Sequence, residues 1–298
     1  MADVRASSAP QQSAMPRSNG QLTPSADVAM ERRFPSDSAA VFVRHYWLPR
    51  WSLPEGRVRR EAVLEYPSAN VAIEPRLAAL HRANRGLSTR TLTGTGWAFG
   101  ALLRPGVALG WTGGSLRSQP LVVPLGALGN GEAAAALAAC VPAVRAAMAA
   151  GDGDAAITAF ESALATLPSP GEEARLVDAI VAAVEEDREL RRVEQLAERF
   201  GIGVRSLQRL IAGHLGFGPK WLIQRYRLQE AAAALRSDAP PPLALLAADL
   251  GYADQAHFSR EFKAVIGATP GGYAAQAAAT SARTLRADPP AALPSGRR

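Results

Sequence analysis

Lysine is almost missing from this 298-residue chain: it stands only at Lys220 and Lys263, and arginine supplies the rest of the 33 basic residues. Cysteine occurs once, as Cys140, which excludes an internal disulfide and suits a reducing compartment. That residue lies in an alanine-rich apolar run, the setting of a buried structural thiol rather than a redox switch. Histidine is scarce too, with four residues and no His-x-His or His-x-x-x-His pair. His45 and His81 therefore offer little from which to assemble a three-ligand centre, and no metal and no cofactor are expected. No Ser/His/Asp or Cys/His arrangement stands out, and Gly94-x-Gly96 does not open a helix as a dinucleotide fingerprint must. The chain reads as a non-enzyme. The N-terminus carries no apolar signal core and no stretch approaches a membrane span, so a cytoplasmic protein without a membrane partner is expected.

What the chain does contain is apolar residue, 48% of the total, over a length sufficient for two ordinary domains. The formal charge of +6 leans towards polyanionic partners, although an arginine- and alanine-rich coding bias accounts for it as simply. Its distribution says more. Between 171 and 275 basic and acidic residues nearly balance. Yet Arg199, Arg205, Arg209, Lys220, Arg225 and Arg227 follow one another with no acid between them, while acids concentrate from Glu172 to Glu198. A local basic face of that kind contacts phosphates despite a neutral total.

Taken in order, residues 1–36 are rich in Ser, Ala, Pro, Gln and Asp without periodicity, which predicts a disordered leader. Residues 37–130 predict a β-rich domain, with strand candidates at 41–47, 57–64, 70–74, 88–93, 96–103, 106–111 and 121–125, punctuated by Pro and Gly. Short strands so spaced suggest a small sandwich or barrel. Trp47, Trp51, Trp97 and Trp111 either line an apolar ligand pocket or fill a small β core, and both readings stay open. Residues 131–170 predict alanine-rich helices over Ala133–Ala149 and Asp154–Leu167, with Pro142 kinking the first or starting another. They form a helical linker and a candidate dimer surface. Pro168-Ser169-Pro170-Gly171 marks a boundary where few contacts should cross. Residues 276–298 predict a disordered tail.

Residues 171–275 predict an all-α domain in which one pattern occurs twice. Glu172–Asp187 forms an opening helix with Leu176, Ile180, Val181 and Val184 inward. Val193, Leu196, Ala197 and Phe200 then fall at i, i+3, i+4, i+7, and Gly201 ends them where a sharp turn wants φ > 0. Val204, Leu207, Leu210 and Ile211 form the inner face of the next segment; Arg205, Ser206, Gln208, Arg209 and Ala212 form its outer face. After a connecting helix from Trp221 to Arg236, Leu243, Leu246, Ala247 and Leu250 repeat the spacing and Gly251 ends them. Asp254 is the expected N-cap of the last segment. Phe258, Phe262 and Val265 face inward there; Ala256, Ser259, Arg260 and Lys263 face out, flanked by Gln255 and His257. Amide and guanidinium groups pair bidentately with base edges, and lysine meets phosphate, so both outer faces suit a major groove.

Leu250-Gly251-Tyr252, Asp254-Gln255, His257-Phe258-Ser259-Arg260, Phe262-Lys263, Gly267, Thr269-Pro270 and Tyr273 closely resemble the second helix-turn-helix of the AraC-type transcription regulators. Ser206-Leu207-Gln208-Arg209-Leu210 with Gly216 and Pro219-Lys220 resembles the first. Arg44-His45-Tyr46-Trp47, Glu65-Tyr66-Pro67-Ser68 with Asn70-Val71, and Phe99-Gly100 with Arg104-Pro105-Gly106 are similar to the cupin-like N-terminal domain of a subset of that family. The resemblance implies a multi-domain α+β chain: a β-rich cupin-like sandwich or barrel, a helical linker and a C-terminal all-α domain with two helix-turn-helix units. It implies a sequence-specific transcription regulator, an activator by family habit, that contacts double-stranded DNA through Arg205, Ser206, Gln208, Arg209, Lys220, Gln255, Ala256, His257, Ser259, Arg260 and Lys263. Further implied partners are a small-molecule effector, a second copy in a homodimer and RNA polymerase. Two other readings stand beside it. One is a cupin-type small-molecule binding protein or enzyme whose helical half serves assembly. The other is a DNA-binding domain beside an inert β scaffold that only dimerises.

Overall fold

The structure, a computed structural model, describes residues 27–237 and 239–287; the expectations for residues 1–26 and 288–298 lie outside the described residues. Strands β1 (Val28–Arg33), β2 (Val43–Ser52), β8 (Phe99–Leu103), β4 (Asn70–Ile73), β5 (Ala78–His81) and β9 (Val122–Pro124) lie side by side in that order, and β7 (Thr95–Trp97) also pairs with β2. Strands β3 (Val58–Val63) and β6 (Ser88–Thr93) form a separate two-stranded ribbon. All these pairings are antiparallel. β1 falls where a disordered leader was expected, and β5 was not foreseen.

Alternation along β2 sorts its side chains between two faces. Tyr46 goes to the apolar side, where its ring lies 5.6 Å from Phe99, and Phe160 completes the cluster 5.3 Å beyond. Trp47 goes to the other side and covers Gly100, where any Cβ would collide with the indole; its Nε1 donates to Asn70 Oδ1 at 3.2 Å. Trp51 covers Gly96 in the same way. Of the four sheet-domain tryptophans, Trp111 joins the buried core and Trp97 packs against it.

A strand was expected from Gly106 to Trp111. The chain instead forms the short helix α1 (Ala108–Thr112), stopped by Gly113 at φ +66°. An apolar run this short fits either period; Ala108, Trp111 and Thr112 are buried at i, i+3 and i+4 while Gly110 is exposed, which is the helical pattern. Helices α2 (Gly131–Ala150) and α3 (Gly153–Leu164) follow, capped by the side chains of Asn130 and Asp152. α2 runs through Pro142 as one helix. Leu137, Val144, Met148, Phe160 and Leu164 share one apolar cluster with Val43, Tyr46, Val71 and Phe99. The predicted linker helices thus pack on the sheet. α2 is long and apolar enough by length and composition to cross a membrane, contrary to the expectation that no stretch would be. Its apolar side is the one packed in this cluster.

The remaining helices are α4 (Glu172–Glu186), α5 (Val193–Arg199), α6 (Val204–Leu215), α7 (Pro219–Ala234), α8 (Leu243–Asp249), α9 (Gln255–Ile266) and α10 (Pro270–Ala287). α10 carries helix into residues 276–287, where a tail was expected. α7 belongs to two cores. Leu222, Ile223 and Tyr226 pack with α4, α5 and α6, whereas Leu228, Ala231, Ala232 and Leu235 pack with α8 and α9.

Contacts do not thin out at Pro168–Gly171 as expected. Gly106 is wedged against α4, where a Cβ would overlap the Ala174 backbone. Its N–H donates to Asp178 Oδ1 at 3.0 Å, and its carbonyl oxygen accepts from His214 Nδ1 at 3.1 Å. The Leu116 N–H donates to the Gly213 carbonyl at 2.8 Å. Arg44 of β2 pairs with Glu185 of α4 at 2.9 Å, both side chains being largely buried. The β3–β6 ribbon reaches the second core, since Leu64 (1% exposed) packs there with Leu87 beside it. Between these points Arg225 of α7 donates to the Glu65 carbonyl from Nε at 3.1 Å and Nη2 at 2.7 Å. The sheet domain is latched to both helix-turn-helix units.

Candidate nucleic-acid interface

Each helix-turn-helix unit is built from the features its sequence supplies. Gly201 and Gly251 take φ +62° and +80° in the two turns, a conformation costly for any residue with a Cβ. The Gln195 side chain reaches back to accept from the Arg191 and Arg192 N–H groups at 3.0 and 2.9 Å, closing the N-terminus of α5. The Asp254 carboxylate accepts from the His257 N–H at 2.7 Å and caps α9 as expected.

Burial fixes the rotation of the two outward-facing helices α6 and α9, of which α9 alone has a side-chain cap. In α6, Leu207, Ile211, His214 and Leu215 are buried. Arg205, Ser206, Gln208 and Arg209 are exposed, and Ala212 and Leu210 lie half-buried at the edges. In α9, Phe258, Phe262 and Ile266 are buried; Ile266 takes the inner place expected for Val265, which is half-buried. Gln255, Ala256, His257, Arg260 and Lys263 are exposed, and Ser259 is half-buried. Lys220, at the first turn of α7, is exposed. The Phe258 ring sits 5.3 Å from Tyr252 and 5.6 Å from Phe262, so these aromatics form the second core and none is a base-stacking platform.

Charge separates the exposed faces from the rest of the domain. The side chains of Arg205, Arg209, Lys220, Arg260 and Lys263 make no ion pair and no hydrogen bond among the described residues. Five solvated cations on α6, α7 and α9 suit phosphate and base-edge contact, because no internal partner has to be given up. His257 is partly engaged, with Nε2 3.5 Å from Glu261 and its ring edge-on to Tyr252.

The basic run read from Arg199 to Arg227 needs correction. Arg225 and Arg227 are 1% and 3% exposed. The first holds the Glu65 carbonyl, and the second holds the Asp187 carbonyl at 2.7 Å and Glu230 at 3.0 Å. Arg199 pairs with Asp187 at 2.7 Å. A count of charges along the chain cannot see that three of the six cations are tied into the fold. Arg191, Gln224 and Glu261 were missed; they line a cleft between the units together with Lys220 and His257. Glu261 was findable, since it stands four residues after His257 on the same helix face.

Outside this interface, the histidines that resembled metal ligands are buried in the sheet domain. Burial, with Arg32 and Arg44 nearby, pulls the His45 pKa down to about 3. Burial and the neighbouring Arg90 pull that of His81 down to about 4. The Cys140 thiol is buried and pushed up to about 11 by that burial. Among the described residues no group of three His, Cys, Asp or Glu side chains gathers in a metal-holding arrangement.

Residues 196–276 match the family model described as a helix-turn-helix domain, and residues 31–118 match a domain of unknown function, DUF6597. Over 102 residues the chain is 30% identical to an uncharacterized HTH-type transcriptional regulator of Haemophilus influenzae, covering 34% of each protein. Over 77 residues it is 34% identical to the HTH-type transcriptional activator RhaS of Escherichia fergusonii, covering 26% of this chain and 27% of that one. The chain thus spans about a third of the length of the curated relatives it matches. Among solved structures, fatty acid-bound ToxT of Vibrio cholerae aligns over 83% of this chain and 94% of its own at 9% identity, with a TM-score of 0.36.

Proposed function

We propose that this chain, whose C-terminal domain belongs to the AraC-type helix-turn-helix family, is a sequence-specific DNA-binding transcription regulator with α6 and α9 as its two reading helices. The observation that carries the proposal is the pairing of those helices. Each presents unpartnered cations and amides on one side of a buried apolar face, and α7 is packed into both cores. At 16 residues and 1.5 Å per residue, α7 is a strut about 24 Å long, which fixes the spacing of the units within a single chain. The helices then enter successive major grooves on one side of the duplex, about one helical turn apart. Gln208, Arg209, Gln255 and Arg260 reach base edges; Arg205, Ser206, Lys220, Ser259 and Lys263 hold the backbone, with Ala256 and His257 close to the duplex.

The sheet domain supplies regulation. Its latch onto both units through Glu65, Gly106 and Leu64 supports a reading in which a small molecule bound there alters how the units sit on DNA. Activation, a second copy of the chain and contact with RNA polymerase belong to the same proposal. No feature of the described residues favours the cupin-type enzyme reading over this one.

The test is a random-site selection with the full-length protein followed by nuclease protection. The proposal expects two short preferred elements about 10 base pairs apart, centre to centre. Recovery of no preferred sequence, or of a single element, refutes it.

A further inference from the structure

Between the two helix-turn-helix units lies a cleft of about 140 Å³. Its floor is one face of α7, with Lys220, Gln224 and Arg227 at spacings of four and three residues. Its far wall is the turn at Gly251 together with His257 and Glu261 of α9, and Arg191 forms the rim from the segment before α5. Every element here belongs to one unit, the other, or the strut that joins them.

The cleft is built for an anion. Arg227 is 3% exposed, and its Nε is buried with no hydrogen-bond partner. Lys220 is exposed and unpaired. The stem of Arg191 lies across the turn, its Cδ only 2.9 Å from where a Cβ on Gly251 would stand, while its guanidinium pairs at the surface with Glu189 at 3.1 Å. Glu261 is the one carboxylate in the lining, and it is already engaged; from outside the lining Glu230 pairs with Arg227 at 3.0 Å. Gln224 Nε2 donates to both of its oxygens at 3.1 and 3.4 Å, and His257 Nε2 stands 3.5 Å away. The donors left open are the Lys220 ammonium and the Arg227 Nε–H, and the volume suits one phosphate group with a bridging water rather than a folded peptide or an apolar ligand.

We infer that this cleft seats a single backbone phosphate of the duplex, at the point where the strand passes from one major groove to the next. The inference rests on the proposed function. Two helices in successive major grooves on one side of the duplex leave the intervening sugar–phosphate strands against the surface between them. The contact reads no base. It fixes the register of both helices at once, which two independent phosphate contacts outside the half-sites cannot do.

The test uses the full-length protein and its selected site, with each phosphate between the two elements replaced in turn by a neutral methylphosphonate. One phosphate, or two neighbours, between the elements should weaken binding by about three- to tenfold. That loss should vanish in Lys220→Gln, whose own binding has already lost the contact. Glu261→Gln removes the opposing charge and should tighten binding by a similar factor while leaving the preferred sequence unchanged. A merely structural role for Glu261 does not produce tightening. Selection of a site with no loss at any central phosphate overturns the cleft assignment alone. So does a loss that persists undiminished in Lys220→Gln, or weakening in Glu261→Gln. Failure to select any site overturns the proposed function, and the cleft assignment with it.

Discussion

Replacing Arg225 by methionine tests how the sheet domain is held to the helix-turn-helix units, because several opposing terms meet at this residue. Arg225 is 1% exposed, and burial pulls its pKa down to about 10. That depression, net of the raising effect of the nearby Glu65 charge, corresponds to a cost on the order of 3 kcal/mol for keeping the cation inside. Against it stand two charge-assisted hydrogen bonds onto one acceptor, the Glu65 carbonyl. Because they share that acceptor, they contribute together about 3–4 kcal/mol. Methionine fills most of the stem's volume beside Trp221, whose ring lies 5.5 Å from the guanidinium carbon. It also relieves the desolvation, and it leaves the Glu65 carbonyl with only the 3.4 Å bond from Gln229 Nε2, which costs about 1 kcal/mol more. The net expected loss is about 1–2 kcal/mol. Alanine forfeits the packing as well and should cost about 3 kcal/mol or more. Urea unfolding of the full-length variants, followed by tryptophan fluorescence and circular dichroism, reads both values. A loss above about 4 kcal/mol for methionine would show that the desolvation argument is wrong. Less than about 1 kcal/mol for alanine would show that this latch does not hold the domains together.

Other perturbations follow from the same geometry. Phe258→Ala empties the centre of the second core, where Tyr252, Phe262 and Phe258 meet, and should cost about 3–5 kcal/mol; an unmoved melting temperature would show the rotation of α9 to be wrong. His45 and His81 are held neutral, with pKa values below the ordinary 6.5. The unfolded chain therefore takes up protons first as pH falls, and stability should drop from about pH 6.5 towards pH 4. The slope is at most about 1.4 kcal/mol per pH unit for each histidine. A flat profile over that range, or one unchanged by His45→Gln, contradicts the burial of these rings. Lys263→Gln should weaken binding to all sequences alike and reduce the salt slope by about one unit; an unchanged slope removes Lys263 from the phosphate contacts.

The helical half of the chain was legible because its determinants are local. Gly201, Gly251 and Asp254 act within a few residues of where they stand, and the spacing of Leu207 and Ile211, or of Phe258 and Phe262, sets the buried side of each helix without outside help. The sheet half was less so. β1 is a mostly exposed edge strand with no alternation, and β5 is the weak strand former Ala-Ala-Leu-His. Both are strands only because a neighbour pairs with them. Arg225 and Arg227 were counted in the basic run from Arg199 for a related reason. The carbonyls that hold them, those of Glu65 and Asp187, lie far along the chain, where sequence periodicity says nothing of such partners, although Glu230, which pairs with Arg227, stands only three residues away on the same helix. The cleft between the units escaped notice because it exists only once α7 brings Lys220 and Arg227 beside His257 and Glu261.

The central claim is that two helices of one chain each read half of a site. It is tested most directly by measuring the full base-preference profile of the wild-type protein beside that of the Gln208→Ala, Arg209→Ala double variant and that of Arg260→Ala. The account predicts that the double variant flattens preference in one half of the site only and Arg260→Ala in the other half only, each lost base contact costing roughly 1–3 kcal/mol. Uniform weakening on specific and random DNA alike, with both halves of the profile intact, would contradict it.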